Sequence, residues 1–210
     1  MPLVVLVIFL YYSPALPFLI FLLGIGIIGI LEIREMAKEG RKIYPKSNIL
    51  SLIFGIYVCI SLTFYYFLKF SNNGGFYFLL IIIVAGTFDV TAYLIGKEFG
   101  KRKIVPKISP GKTWEGTIGG GICSITSIII VCIITKTIFQ GDFWNTFFAA
   151  LSIPPLAFFG DLLESFYKRK MGVKDSGRIL PGHGGLLDRI DSLLLPVWGI
   201  ITLKALSIIR

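Results

Sequence analysis

Between Gly160 and Asp191 the chain brings carboxylates, cations and glycines together at a density that packing alone rarely needs. In the run from Gly160 to Arg169, the residues Asp161, Glu164, Ser165 and Lys168 are spaced i, i+3, i+4 and i+7. A helix continuing through them shows all four on one face. The blander alternative is a solvated helix end with an intrahelical Glu164–Lys168 pair. Downstream, Lys174, Asp175 and Gly177 lead into Leu180-Pro181-Gly182-His183-Gly184-Gly185, then Asp188-Arg189-Ile190-Asp191. Glycine permits positive φ and close backbone approach, so this loop suits the presentation of N–H groups to an anion. A helix starting near Gly185 would add its positive dipole end. Asp188 and Asp191 then lie one turn apart, and with Asp161 opposite they form an oxygen-rich set fit for a hard cation such as Mg²⁺. An Asp–Arg–Asp surface ion-pair cluster is the competing account.

A second anion site is expected at Ser109-Pro110-Gly111-Lys112-Thr113-Trp114-Glu115-Gly116. It reads as a helix start, with Ser109 as N-cap and Pro110 in the first turn. Lys112 and Thr113 would stand beside the free N–H groups, and Gly119, Gly120 and Gly121 would allow close approach by a ligand or a second backbone. Gly-Lys-Thr is shared with nucleotide-binding P-loops, but Pro106 replaces that motif's first glycine and no βαβ context surrounds it. Asp89 and Tyr93 lie one turn apart, with Gly96 and Gly100 near the same face; Asp89 could tie helices together or line a site. Cys59, Cys123 and Cys132 fall in apolar blocks without paired spacing and read as packing residues. His183 is the only histidine, which excludes zinc sites built on several histidines.

The elements that must position these groups are membrane helices. Hydrophobic residues make up 55% of the chain, the mean hydropathy is +0.81, and the apolar residues come in blocks long enough to cross the hydrocarbon layer as helices. The fold class expected is an all-α, polytopic helical bundle of about seven transmembrane helices with cytoplasmic active-site loops. The blocks are Leu3 to Tyr12, Phe18 to Ile33, Asn48 to Phe70, Phe76 to about Gly96, Thr117 to Thr135, Phe143 to Phe159, and Ser192 to Ile209. The first is short and lacks the features of a signal peptide, so a short or truncated first helix is expected. No repeat divides the chain, and residues 1–210 are taken as one membrane-embedded domain. The net charge of +9 does not point to nucleic acid here. Seventeen of the 21 Lys and Arg lie in three segments, Glu32 to Ser47, Lys97 to Lys112 and Gly160 to Asp191. Seven alternating spans put all three on one side, the cytoplasmic one.

Taken together, these residues resemble the phosphatidate cytidylyltransferase (CDP-diacylglycerol synthase) family. The family's C-terminal signature is matched in register by Ser165, Lys168, Arg169, Lys174, Asp175, Gly177, His183, Gly184, Gly185, Asp188, Arg189 and Asp191. Tyr167 departs from it, where an aliphatic residue is usual, at a lipid-facing or packing position. Asp89 to Gly100 and Ser109 to Gly120 are similar to the family's preceding blocks, with Gly111 where lysine is common. Upstream, the likeness is hydropathic apart from a helix ending at Glu32.

The resemblance implies transfer of the cytidylyl group of CTP to phosphatidate, giving CDP-diacylglycerol and pyrophosphate, at a bacterial-type inner membrane. Both substrates are polyanions, so Lys, Arg and Mg²⁺ are needed to offset repulsion. Asp161, Asp188 and Asp191 are expected to bind Mg²⁺, which a monovalent cation such as K⁺ could join. Lys168, Arg169, Lys174, Lys112 and the Gly184 and Gly185 N–H groups would hold phosphates. Ser109, Thr113, Ser165, Asp175, Arg189 and Asp89 complete the expected substrate contacts. His183 would orient a phosphate or fix the loop. The partners implied are CTP, phosphatidate and the bilayer, with no nucleic acid; a homodimer is left open. Two other enzymes and one other class compete. A CTP-dependent lipid-alcohol kinase would release CDP and need a general base. An alcohol phosphotransferase would need its own Asp-Gly…Ala-Arg…Asp…Asp pattern, which the chain lacks. A transporter would need polar residues to mid-membrane on several helices, and the third and fifth spans carry only scattered Ser and Thr.

Overall fold

A computed structural model of the chain describes residues 13–139, 143–177 and 184–209, with the side chains of 135–139 left out. Its elements run α1 (Ala15–Gly40), α2 (Ser47–Lys69), α3 (Gly74–Phe99), β1 (Lys103–Val105), β2 (Ser109–Thr113), α4 (Trp114–Phe139), α5 (Phe143–Lys170), α6 (Leu187–Leu194) and α7 (Pro196–Ala205). Among the described residues, α1 to α5 are the helices long and apolar enough to cross a membrane. The multi-pass, essentially all-α architecture expected from the apolar blocks is what forms.

The count of seven spans does not carry over to the described residues. The block from Leu3 to Tyr12 lies outside them. The block from Ser192 to Ile209 is divided between α6 and α7, because Pro196 has no N–H to donate back to the preceding turn and instead starts a new helix. Ten residues rise about 15 Å, half of the hydrocarbon thickness, so α7 packs against the bundle instead of crossing it alone. Tyr65 on α2 donates from its hydroxyl to the Leu193 carbonyl oxygen at 2.7 Å, and the Trp198 indole N–H donates to Ser61 Oγ at 2.8 Å.

Ser109 to Thr113 departs from expectation more sharply. It is the second strand of a small antiparallel hairpin, with Lys103 opposite Thr113 and Val105 opposite Ser109. The helix begins only at Trp114. Thr113, not Ser109, caps it, its Oγ1 accepting the Gly116 N–H at 3.1 Å. Two features favour the hairpin. Ile104 and Val105 suit an extended chain, and Pro110 cannot donate to a ladder but fits an edge strand. The Glu115 carboxylate then secures the base, accepting the N–H groups of Lys101 at 3.1 Å and Arg102 at 3.2 Å.

The buried core runs from Phe18 and Leu22 on α1 through Val58, Leu68, Ile81 and Val84 to Ile128, Ile153, Val197 and Ile200. Tyr167, the one departure from the signature, proves to be a packing residue. It is 1% exposed, stacks on Phe54 with ring centroids 4.4 Å apart, and shares a hydrogen bond with Ser51 Oγ at 2.8 Å. The helices α3 and α4 meet along small residues. A Cβ added at Gly116 would lie 2.5 Å from the Ala92 carbonyl oxygen and 2.8 Å from Gly96 Cα, and one at Gly120 would lie 2.7 Å from Ala92 Cβ. Backbone-to-backbone approach of this kind is how membrane helices associate where lipid gives no hydrophobic drive. Gly119 faces Ile95 on the same seam, whereas Gly121 has open space around it.

Candidate functional site

The helix α5 continues unbroken past Gly160 to Lys170, which sets the Asp161–Lys168 face at the same end of the bundle as the hairpin and α6. There a cleft of about 590 Å³ opens, lined among others by Asp89, Lys112, Thr113, Asp161, Asp188 and Asp191. Ser109 also borders it. Four elements, α3, β2, α5 and α6, thus contribute the predicted groups. Lys97 and Lys103, counted in the sequence only as loop charges, stand exposed and line the same cleft. Thr117 and Phe158 join them. The Lys97–Lys112 charge run was the signal for the two lysines, but the hairpin is what turns Lys103 toward the cleft.

Two ion pairs cross the site. Lys112 Nζ lies 2.8 Å from Asp161 Oδ2, 3.4 Å from the Phe158 carbonyl oxygen and 4.3 Å from the Phe158 ring centroid. Lys168 Nζ donates to Asp188 Oδ1 at 2.6 Å and stands 3.4 Å from Glu164 Oε1. Ser165 Oγ donates to Asp161 Oδ1 at 3.2 Å, so the expected helix face is real. Asp188 also accepts the N–H groups of Ser176 and Gly185, each at 2.9 Å to Oδ2. Burial alone would raise its pKa, but the Lys168 hydrogen bond and these two N–H groups outweigh burial and hold the carboxyl below the usual range. Asp191 behaves oppositely. Burial first, then the neighbouring Asp161 charge, push it up to about 7.

The Gly-rich loop corrects one expectation. The Gly185 N–H is committed to Asp188, and the Leu186 and Leu187 N–H groups donate to Glu32 on α1 at 2.7 and 3.0 Å. The start of α6 is therefore closed by two carboxylates of the chain itself and is not an open phosphate cradle. Gly184 adopts φ +81°, the left-handed conformation expected of a glycine there. His183 lies outside the described residues. Lys174 and Asp175 line a different cleft of about 710 Å³ with Glu35, Lys38 and Glu39 of α1. Arg169 serves as a brace: its Nε donates to the Ile108 carbonyl oxygen at 3.1 Å and its Nη1 to that of Val173 at 3.3 Å. Arg189 is exposed and lines neither cleft.

Whether these residues fit a divalent cation can be judged on their own chemistry. As the side chains lie, no group of three or more His, Cys, Asp or Glu among the described residues is gathered tightly enough to hold a metal. The donor set nevertheless suits a hard cation. Asp89, Asp161, Asp188 and Asp191 line one cleft, and Glu164, 1% exposed, is a close neighbour of Asp188 and Asp191. Among the described residues neither Glu164 oxygen accepts a hydrogen bond. Five carboxylates around Lys112 and Lys168 leave an excess of buried negative charge, which calls for a further cation or a bound proton.

Comparison with known proteins identifies relatives of the chain. The model of the cytidylyltransferase family matches residues 1–206. The chain is 50% identical over 111 residues to a phosphatidate cytidylyltransferase of Haemophilus influenzae, covering 52% of this chain and 38% of that one. It is 46% identical over 119 residues to a phosphatidate cytidylyltransferase of Staphylococcus aureus strain COL, covering 56% and 45%. An uncharacterized Escherichia coli protein, YnbB, is 51% identical over 107 residues, covering 50% and 35%. The chain thus spans less than half the length of the curated relatives it matches.

Proposed function

The chain belongs to the cytidylyltransferase family, and from that membership we propose that it transfers the cytidylyl group of CTP to phosphatidate, releasing pyrophosphate. The observation that carries the reading is the charge layout of the cleft. The exposed lysines Lys97 and Lys103, with the half-buried Lys112, line it together with four half-buried carboxylates, Asp89, Asp161, Asp188 and Asp191. A nucleoside triphosphate and an anionic lipid repel each other, and the charges of Lys97, Lys103 and Lys112 lower that repulsion.

In the proposed reaction an ionised phosphatidate oxygen forms a bond to the α-phosphorus of CTP. The bond from that phosphorus to the oxygen bridging to the β-phosphate breaks in line, and pyrophosphate leaves with the electron pair. The attacking oxygen already bears charge, so no general base is required. Asp161, Asp188 and Asp191 would hold Mg²⁺, whose charge neutralises the phosphates. Lys112 is placed to exchange Asp161 for a phosphate oxygen, because its present partners are one carboxylate, one carbonyl and a ring face. Lys168 keeps Asp188 charged and oriented. The basic segments are assigned to the cytoplasmic face of a bacterial inner membrane, where CTP is found.

Purified protein in lipid nanodiscs, given labelled CTP and phosphatidate, tests the reading when lipid or Mg²⁺ is omitted in turn. CDP-lipid and pyrophosphate should appear only with all components present. Release of CDP with a phosphorylated lipid alcohol would assign a kinase instead, and no CDP-lipid under full conditions would refute the proposal.

A further inference from the structure

Glu32 lies where the apolar part of α1 ends, two residues before Arg34, and is 1% exposed. A buried carboxylate is costly unless its oxygens are fully paired. Its partners come from 144 to 155 residues away: Oε2 accepts Ser176 Oγ at 2.9 Å and the Leu187 N–H at 3.0 Å, and Oε1 accepts the Leu186 N–H at 2.7 Å. The Leu186 and Leu187 N–H groups belong to the first turn of α6, where no intrahelical acceptor exists, and Leu186 itself offers no side-chain cap. Glu32 therefore caps α6 from another helix.

Asp188 grips the same loop from the cleft side. Ser176 is shared between the two carboxylates, its N–H donating to Asp188 and its hydroxyl to Glu32. The glycines follow from this. A Cβ at Gly185 would collide with Ser176 Oγ and lie 2.7 Å from Glu32 Oε1, and one at Gly177 would lie 2.9 Å from the same oxygen. Glu32 borders neither cleft, so it meets no substrate placed there.

We propose that Glu32 is a positioning residue: by capping α6 and holding Ser176, it fixes the helix that aims Asp188 and Asp191 into the cleft. The role in turnover rests on the reaction proposed above; the loop-holding role does not. The full chain in nanodiscs separates them, using Glu32→Gln, Ser176→Ala, the double variant, and Glu98→Gln as an exposed control on α3 that lines neither cleft.

Glutamine keeps the size of Glu32 but turns one acceptor into a donor facing N–H groups. Amide exchange in the 174–187 peptide should quicken about tenfold or more in Glu32→Gln, the equivalent of a lost charge-assisted hydrogen bond, with α2 to α4 unchanged. CDP-lipid kcat should fall on the order of 10- to 100-fold with the KM for CTP within about twofold, since the loss lies in orientation. Ser176→Ala removes one donor and should give a smaller change in the same two readouts, which keeps the test usable if Glu32→Gln does not fold. The double variant should lose less than the product of the singles. Glu98→Gln should match the wild type. Unchanged exchange in the 174–187 peptide would overturn the proposal, and so would faster exchange with wild-type turnover. Wild-type protein that makes no CDP-lipid would sink the reaction alone, and the exchange measurements would still decide whether Glu32 holds the loop.

Discussion

The two walls of the cleft are built on different principles. On one side Lys112 and Asp161 form a single ion pair with side-chain exposures of 14% and 31%, backed by one carbonyl and one aromatic face. On the other, Lys168 and Asp188 are 11% and 13% exposed; Asp188 also takes two backbone N–H groups, and Glu32 braces the loop from behind. The first wall can trade its partner for a ligand at little cost, because partly exposed pairs contribute modestly. The second cannot, because removing either member strands buried charge and N–H groups together. The difference separates a wall whose ion pair can open to a phosphate from one that keeps its pairs and holds Asp188 in position.

Substitution should expose that contrast most strongly at Asp188. Asp188→Ala removes the partner of Lys168 and the acceptor of two N–H groups. It should lower thermal stability by about 3 to 5 kcal/mol and cut turnover by roughly 10³-fold or more, read by unfolding in detergent and by CDP-lipid formation. Wild-type turnover would remove Asp188 from the proposed metal set. Lys112→Ala should split the two readouts: turnover falls by about 10- to 100-fold, while the melting temperature stays within about 2 °C because the pair is partly exposed. A large fall in melting temperature would show that both walls are scaffold. The smallest effect is expected for Tyr167→Phe, which deletes only the hydroxyl that bonds Ser51 at 2.8 Å and donates to the Ile33 carbonyl oxygen at 3.4 Å. About 1 kcal/mol of stability should be lost with turnover unchanged, and a fall in turnover would extend the rigid wall as far as α2.

What the sequence disclosed, and what it hid, follows from the range of the interactions. Asp161, Glu164, Ser165 and Lys168 were legible because helical spacing alone puts them on one face. Asp188 and Asp191 were legible for the same reason. The hairpin was not, since Ser109 and Pro110 satisfy the local rules for a helix start equally well, and three- and five-residue strands leave little pattern. Pro196 inside an apolar run was the visible warning against a seventh continuous span. Glu32 could be seen only as the end of an apolar block. A lone acid in such a run marks a buried role, but its partners lie across more than 140 residues and no spacing rule reaches them. The Gly-rich loop illustrates the same limit. Its glycines suggested room for a ligand's anion, whereas Gly185 and Gly177 make room for the chain's own carboxylate.

The close seam between α3 and α4 has a mechanical consequence. Ala92 and Gly96 on one helix nearly touch Gly116 and Gly120 on the other, so neither helix can slide or roll without the other following. Membrane helices answer a thicker or thinner bilayer by tilting, and these two must tilt as one body. Asp89 and Thr113, carried on that body, keep their separation across membranes of different thickness. The lipid environment can then set how the site is presented to the surface without altering that side of its geometry.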